Sequence, residues 1–236
     1  MGKRMVRAVA AGVTLVLAGC GRGAPHATIL YLQARESGGS PFPARVLVNR
    51  HFVRIDPDMA TGNYILFNRK RRVIYSVDAA DRTILVIRSH PVTYTPPILL
   101  ENRVARLPGS VTFDGHKALH YALSTNGEQC YEVYAAKGFL RGAARALAGY
   151  KKALAGEQAL AAEQGAPELQ GPCGLADSIF SAGREYAQGF PIKMIDQNHN
   201  EKTLMRVRRD VAVNRDTFTL PAHYLRYSPN EVRSGS

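Results

Sequence analysis

The first third of the chain contains short stretches in which hydrophobic and polar side chains alternate. Turn-forming residues separate these stretches, and each separator is short enough to return one strand antiparallel to the last. Such alternation is typical of half-buried β-strands. We therefore predict a β-meander whose consecutive strands are neighbours in one sheet. The predicted strands are Thr28–Leu32, Ala44–Val48, Phe52–Ile55, Tyr64–Phe67, Val73–Val77 and Thr83–Ile87.

The strand pattern resumes after a proline-rich interval. Pro91, Pro96 and Pro97 remove backbone donors, so residues 90–100 are expected to form a sheet edge or a loop. A tight turn at Asn126-Gly127 favours a further hairpin. The additional predicted strands are Val111–Phe113, Ala118–Leu123 and Cys130–Tyr134.

Between residues 138 and 187 the apolar positions change to a helical period. Leu140, Ala144, Leu147 and Leu154 lie on one helical face within 138–164, and a second amphipathic helix is predicted from Cys173 onward. The strand pattern then returns. We therefore predict an α+β fold, in which a curved antiparallel sheet, an incomplete β-barrel, is wrapped over inserted α-helices. The last predicted strands are Ile192–Ile195, Thr203–Val207, Val211–Val213 and Phe218–Leu220.

The N-terminal segment has the pattern of a bacterial export signal. Lys3, Arg4 and Arg7 precede an apolar run that is too short to span a bilayer. The run ends at Leu17–Cys20, which resembles the lipobox of bacterial lipoproteins. This resemblance implies cleavage before Cys20 and attachment of diacylglycerol to its sulfur, which would anchor the chain to a membrane. An ordinary signal peptide with an incidental cysteine is the alternative.

The same pattern divides the N-terminal region into two parts. We expect residues 1–19 to be the signal peptide and residues 20–26 to be a lipidated tether, since Gly21 to Pro25 are small and turn-prone. In lipoproteins an Asp after the cysteine commonly retains the product at the inner membrane, and this chain has Gly21 there. The resemblance therefore implies the outer membrane, and we expect the domain to lie at its periplasmic face.

Composition indicates a folded domain with a basic surface. Hydrophobic residues make up 45% of the 236 residues, and the formal net charge is +12. The excess favours anionic partners such as lipid headgroups, while an exported location argues against nucleic acid. The basic residues are spread along the chain rather than gathered in one block, so a merely solvated basic surface is the simpler interpretation.

Two cysteines remain once Cys20 is assigned to lipidation. Cys130 and Cys173 would lie in an oxidising compartment, so a disulfide between them is expected. A metal-binding pair and two free buried thiols are the alternatives. Because Cys130 lies in a predicted strand and Cys173 starts a predicted helix, the disulfide would fasten helix to sheet.

No residue pattern indicates catalysis. His116 and His120 could share one face of a strand, but no third ligand stands at metal-site spacing, so neither a metal nor a cofactor is assigned. Asp78 and Asp81 are interpreted as turn formers. Nucleophile motifs are also missing from the sequence. We expect no enzymatic activity.

Together, the lipobox, the β-meander, the helical insertion and the ending Phe218–Tyr224 resemble the LolA/LolB-like fold of bacterial envelope proteins. Within it, Arg54–Asp56, Tyr64–Phe67 and Ile74–Val77 are most similar to uncharacterised proteobacterial lipoproteins. The resemblance implies one β-rich domain over residues 27–228. Residues 229–236 are expected to be a flexible C-terminal tail.

The carriers of that family hold the acyl chains of a passenger lipoprotein in a cavity. The resemblance thus implies a non-catalytic domain that binds an acyl chain, a lipid or a lipoprotein, attached to the membrane through Cys20. It assigns no ligand-binding residue and no oligomeric state. The alternative is a structural or interaction lipoprotein of the cell envelope that uses its basic surface.

Overall fold

The computed structural model describes residues 23–234. The predicted signal peptide, Cys20 and the first residues of the tether lie outside the described residues. Of the described residues, 44% are in strands and 22% are helical. The strands are β1 (His26–Arg35), β2 (Phe42–Val48), β3 (Phe52–Asp56), β4 (Tyr64–Asn68), β5 (Val73–Asp78), β6 (Thr83–Arg88), β7 (Asn102–Phe113), β8 (His116–Thr125), β9 (Glu128–Ala136), β10 (Phe190–Asp196), β11 (Glu201–Ala212) and β12 (Leu225–Tyr227).

All twelve strands form one open sheet in the order β12-β6-β5-β4-β3-β2-β1-β11-β10-β9-β8-β7. Strands β1 to β6 are sequential antiparallel neighbours, which confirms the predicted meander. Strand β1 also pairs with β11, from His26 opposite Ala212 to Arg35 opposite Glu201. This pairing joins the meander to the second group of strands, and β12 is parallel to β6 at one edge.

The turns of the meander have the predicted chemistry. The carboxylate of Asp78 accepts a hydrogen bond from the backbone N–H of Asp81 at 2.9 Å, which closes the β5–β6 turn. Asn126 and Gly127 both have positive φ between β8 and β9, as a two-residue hairpin turn requires. These local hydrogen bonds fix the strand register, so alternate side chains point to opposite faces.

One long helix covers one face of the sheet, which we call the inner face. Helix α1 (Arg141–Glu163) packs its alanine-rich side and Leu147 against residues from both ends of the sheet. The helical segments after it are short: residues 167–169, α2 (Pro172–Leu175), residues 176–180 and residues 184–186. Among residues 23–234, no helix is long and apolar enough to cross a membrane.

A second core lies on the opposite, outer face of the sheet. Here Phe218 stacks on Phe52 with 5.7 Å between ring centroids. Arg54 donates a hydrogen bond to the Thr217 carbonyl oxygen at 3.0 Å, which holds the helical turn of residues 215–218 against the strands. The buried residues of this core are Ala27, Ile29, Leu47, Tyr64, Leu66, Val77, Ile84 and Phe218.

The predicted α+β class, with an incomplete β-barrel wrapped over inserted helices, is wrong. The described chain is largely a twelve-stranded open sheet with few helices. The second predicted helix, from Cys173, breaks into short turns because Gly183 has φ +86° and its Cα approaches Ala148 of α1 too closely for a side chain. Phe218–Leu220, predicted as a strand, begins in a helical turn instead.

The segment predicted to be the C-terminal tail contains a short helix. Residues Pro229–Ser234 form a short helix, α3, and Arg233 pairs with Glu157 of α1. Ser228 and Glu231 close the start of this helix, since the Glu231 carboxylate accepts hydrogen bonds from both the backbone N–H and the hydroxyl of Ser228. Glu231 lies three residues after Ser228, the spacing of a capping box.

Candidate ligand-binding cavity

Cys130 and Cys173 are joined in a disulfide, consistent with the predicted pairing. Their Cα atoms are 5.2 Å apart, and both residues are buried. Cys130 belongs to β9 and Cys173 to α2, so the bond fastens the segment after α1 to the sheet. Neither residue lines the cavity described below. Their role here is to hold the inner-face covering in place.

The two histidines considered as a metal pair do not share a site. His120 uses both ring nitrogens: Nδ1 lies 2.9 Å from the Pro108 carbonyl oxygen and Nε2 lies 2.8 Å from a Glu132 carboxylate oxygen. His116 instead contacts the carbonyl oxygen of Asp114. Within residues 23–234, the one cluster with metal-ligand spacing is Cys130, Cys173 and Asp177, and its two sulfurs are consumed by the disulfide.

A cavity of about 860 Å³ lies on the inner face, between the sheet and helix α1. A volume of this size lies within the range of about 300–1,000 Å³ found for small-molecule sites. Strands β1 to β4 supply one wall, α1 another, and β10 and β11 complete it. The apolar lining includes Leu30, Leu32, Ala34, Phe42, Ala44, Val46, Ile55, Ile65, Leu147, Leu154, Phe190 and Met194, and the rings of Tyr131, Tyr150 and Tyr186 also line the cavity.

Several of these apolar side chains are not covered by protein. Leu32, Ile55 and Ile65 point to the inner face yet are only half-buried, and so is Leu154 on the helix that faces them. In a closed core these positions would be fully buried, because protein interiors are packed almost without voids. The inner face therefore presents apolar surface that its own side chains leave unfilled.

Charged side chains gather at the part of the cavity near β10 and β11. Lys202 on β11 lies opposite Ala34 of β1 and Met194 of β10, so strand alternation directs it into the cavity. Lys151 follows Leu147 by four residues and precedes Leu154 by three, which places it on the same side of α1. Glu185 reaches the cavity from the helical turn of residues 184–186.

These charges are poorly paired. Across residues 23–234, neither Lys151 nor Lys202 makes a hydrogen bond or an ion pair with another side chain. Glu185 is 3% exposed, and its Oε2 atom has no hydrogen-bond partner. Asp196 also lines the cavity, but its carboxylate accepts hydrogen bonds from Asn198 and Asn200 in the β10–β11 turn. Buried carboxylates usually accept hydrogen bonds at both oxygens, so the free oxygen of Glu185 is unusual, whereas the two lysines remain in contact with solvent.

Burial shifts the pKa values of two charged residues of the cavity, Lys202 and Glu185. Burial lowers the pKa of Lys202, and repulsion from Lys151 lowers it further, although Asp196 and Glu185 oppose both effects. Burial also raises the pKa of Glu185, while the nearby Lys151 counteracts this. Solvent reaches the Lys202 side chain although protein surrounds it, since Lys202 projects into the hollow. Both pKa shifts have the direction that burial gives, toward the neutral form of each group.

No ligand-binding residue was predicted from the sequence, so Lys151, Lys202 and Glu185 were not foreseen. A signal for Lys151 existed, because it occupies the place between Leu147 and Leu154 where the apolar stripe of α1 predicts another hydrophobic residue. Lys202 similarly precedes Leu204 by two residues on a strand, so the two share one face. Glu185 had no such signal, because its segment was predicted to be part of a regular helix.

The fold and the cavity define a β-sheet protein with a ligand-sized hollow under a single helix. No protein-family model matches the chain, and no curated protein matches it. Among solved structures, an uncharacterized conserved protein from Thermus thermophilus is 11% identical with a TM-score of 0.45, and the alignment covers 86% of this chain and 90% of that one.

A structure of PNGF-II is also similar. It is 8% identical with a TM-score of 0.43, and the alignment covers 89% of this chain but 32% of the PNGF-II chain. The present chain therefore corresponds to about a third of that protein. Similarities at this level carry no conclusion about the function of this chain.

Proposed function

We propose that this protein is a lipid-anchored envelope protein whose domain binds an acyl chain, a lipid or a lipoprotein without altering it chemically. The observation that supports this proposal is the half-buried apolar lining of the inner-face cavity. When a ligand covers apolar surface that was in contact with water, each methylene that becomes buried stabilises the complex by about 0.8 kcal/mol. An acyl chain can cover such a surface because it is narrow, flexible and entirely apolar.

The membrane anchor belongs to the same proposal. Lipidation of Cys20 would hold the domain at the periplasmic face of the outer membrane, where acyl-bearing molecules are abundant. The resemblance to LolA/LolB-like envelope proteins favours the same class of ligand. We assign the apolar contacts to Leu32, Ile55, Ile65 and Leu154, which line the cavity and are incompletely buried.

The proposal can be tested by filling the cavity. Ala44 lies on β2 and lines the cavity, so Ala44→Phe should occupy space that the ligand needs. Displacement of the uncharged probe N-phenyl-1-naphthylamine by fatty acids of increasing length should show tighter binding with each added methylene in the original protein. In Ala44→Phe the affinity for the longest fatty acid should fall by about tenfold, the equivalent of about 1.4 kcal/mol.

Ala105→Phe is the matched control, because it makes the same change at an exposed position of edge strand β7. This variant should bind as the original protein does. Affinity that is independent of chain length, or equal loss in both variants, would contradict binding in the cavity. Added salt should leave the dependence on chain length intact, because burial of methylenes is not screened by ions.

A second candidate function, an interaction protein of the envelope, is favoured by the edge strand β7. Almost every residue of β7 is exposed, and it carries Arg103, Val104 and Arg106 at the border of the sheet. An exposed strand edge can pair with a strand of another protein. This function predicts binding that weakens with salt and does not depend on acyl length, so the same titration separates the two candidates.

A further inference from the structure

We propose that Lys151 and Lys202 bind the anionic head group of the acyl ligand, a carboxylate or a phosphate, while the apolar walls take its chain. This inference rests on the proposed function and names the chemical class of the ligand. Both lysines line the same cavity, and within residues 23–234 neither has a carboxylate within ion-pair distance.

The two lysines repel each other across the cavity. Lys151 lies close enough to Lys202 to disfavour its charge, and both side chains line the same hollow. Lys202 is exposed to solvent and Lys151 is half-buried, so an anion that enters the open cavity can reach both side chains. An anionic group would accept hydrogen bonds from both ammonium groups and relieve their repulsion.

Five acidic side chains line the cavity, but none forms an ion pair with Lys151 or Lys202. Glu201 pairs with Arg35 and Lys193 instead, and Glu36 and Asp58 lie beyond ion-pair distance of both lysines. The Asp196 carboxylate is occupied by the β10–β11 turn through Asn198 and Asn200. Glu185 is almost fully buried, and its Oε2 atom remains without a hydrogen bond. A bound head group with a hydroxyl or another donor would supply that missing partner.

Apolar side chains directly flank both lysines. On helix α1, Leu147 and Leu154 lie one turn to either side of Lys151. On the sheet, Ala34 and Met194 are the register partners of Lys202. A ligand whose charge lies between the lysines would therefore have its chain in contact with the apolar lining. Two lysines flanked by apolar side chains suit a ligand with one anionic head group and at least one acyl chain.

The test uses probes that share one chain and differ in the head. Dodecanoate, dodecyl phosphate, dodecanol and dodecylammonium are each used to displace N-phenyl-1-naphthylamine from the purified protein. The two anionic probes should bind about tenfold more tightly than dodecanol, since a hydrogen bond to a charged group stabilises by about 1.5 kcal/mol or more. Dodecylammonium should bind most weakly. The ratio of dodecanoate to dodecyl phosphate distinguishes a carboxylate from a phosphate source.

The variants Lys151→Met and Lys202→Met keep much of the apolar stem and remove the charge. Each should reduce the affinity for dodecanoate about tenfold and leave that for dodecanol unchanged or slightly higher. Lys152→Met is the control, because Lys152 is the exposed neighbour of Lys151 on α1 and does not line the cavity. It should behave as the original protein. Circular dichroism of each variant verifies that the fold is retained.

The outcomes separate this inference from the function on which it rests. Equal affinities for dodecanoate and dodecanol, with no effect of either lysine variant, would overturn the head-group assignment even if longer chains still bound more tightly. Failure of every probe to displace the naphthylamine would overturn the proposed function itself. Loss of dodecanoate affinity in Lys152→Met as large as in Lys202→Met would show a diffuse effect of net charge and reject the site.

Discussion

On the outer face of strands β1 to β4, Ile29, Leu47 and Leu66 are buried beneath the segment that carries Phe218. On the inner face of the same strands, Leu32 and Ile65 remain half-buried beside the cavity. The two faces alternate along each strand, and both carry large apolar side chains. Hydrophobic composition therefore does not account for the hollow, which depends on what covers each face.

The two coverings differ in how they meet the sheet. The outer covering is a short segment fixed by Phe218 stacked on Phe52 and by the hydrogen bond from Arg54 to the Thr217 carbonyl. The inner covering is one long helix whose buried residues are mainly alanine. Small side chains let α1 approach the sheet but cannot fill the space beside it. The inner face is thus suited to admit a ligand and the outer face to stabilise the fold.

The largest effect expected from this comparison concerns two phenylalanines. Phe218→Ala should lower the free energy of unfolding by about 3 kcal/mol, since it leaves a void in the closed outer core. Phe42→Ala, at the wall of the cavity, should cost less than about 1 kcal/mol, because Phe42 is only half-buried. Urea denaturation measures both. Equal losses would mean that the inner face is packed as tightly as the outer one.

A smaller effect is expected from two neighbouring positions on β4. Leu66→Phe should destabilise the protein by about 2 kcal/mol, because the outer core has no room for a larger side chain. Ile65→Phe adds a similar ring on the inner face, where the cavity can receive it, and should change stability by less than about 0.5 kcal/mol. Thermal unfolding compares the pair. A loss for Ile65→Phe that matches the loss for Leu66→Phe would contradict the comparison.

The smallest expected effect is an increase in stability rather than a loss. Because burial raises the pKa of Glu185, this residue supports folding when protonated, and that support is lost as pH rises from the ordinary glutamate value of 4.5 through the raised value. Glu185→Gln should therefore stabilise the protein by about 1 kcal/mol at pH 8, and by less at pH 5. Chemical denaturation at both values tests this. A variant less stable than the original at pH 8 would show that the Glu185 charge is favourably paired.

The sequence was sufficient to predict the strands of the meander and helix α1, since both follow from the period of apolar residues and from turn chemistry. The prediction was wrong where residues had helical spacing but did not form one continuous helix. Cys173, Ala176 and Phe180 have helical spacing, but glycine and close contact with Ala148 interrupt the helix at Gly183. The α+β class failed for this reason, because one of the two predicted helices does not form as a unit.

The candidate site was less accessible from sequence than the fold. Lys151 interrupts the apolar stripe of α1, and that interruption could have indicated a charged group facing inward. Its meaning depends on Lys202, which is brought near only by the pairing of β11 with β1 and β10. Glu185 joins them through an irregular segment. Because Lys151, Lys202 and Glu185 come from three distant parts of the chain, no short sequence pattern identifies them as one site.

The position of β1 in the sheet also has a consequence for the order of folding. Its two neighbours are β2, a few residues later, and β11, near the other end of the chain. While the polypeptide is being made, β1 can form the meander early but must keep one edge unpaired until β11 emerges. Contacts between distant segments slow folding and expose strand edges in the interval. The cavity, which needs β1, β10 and β11 together, is therefore expected to be among the last parts of the molecule to form.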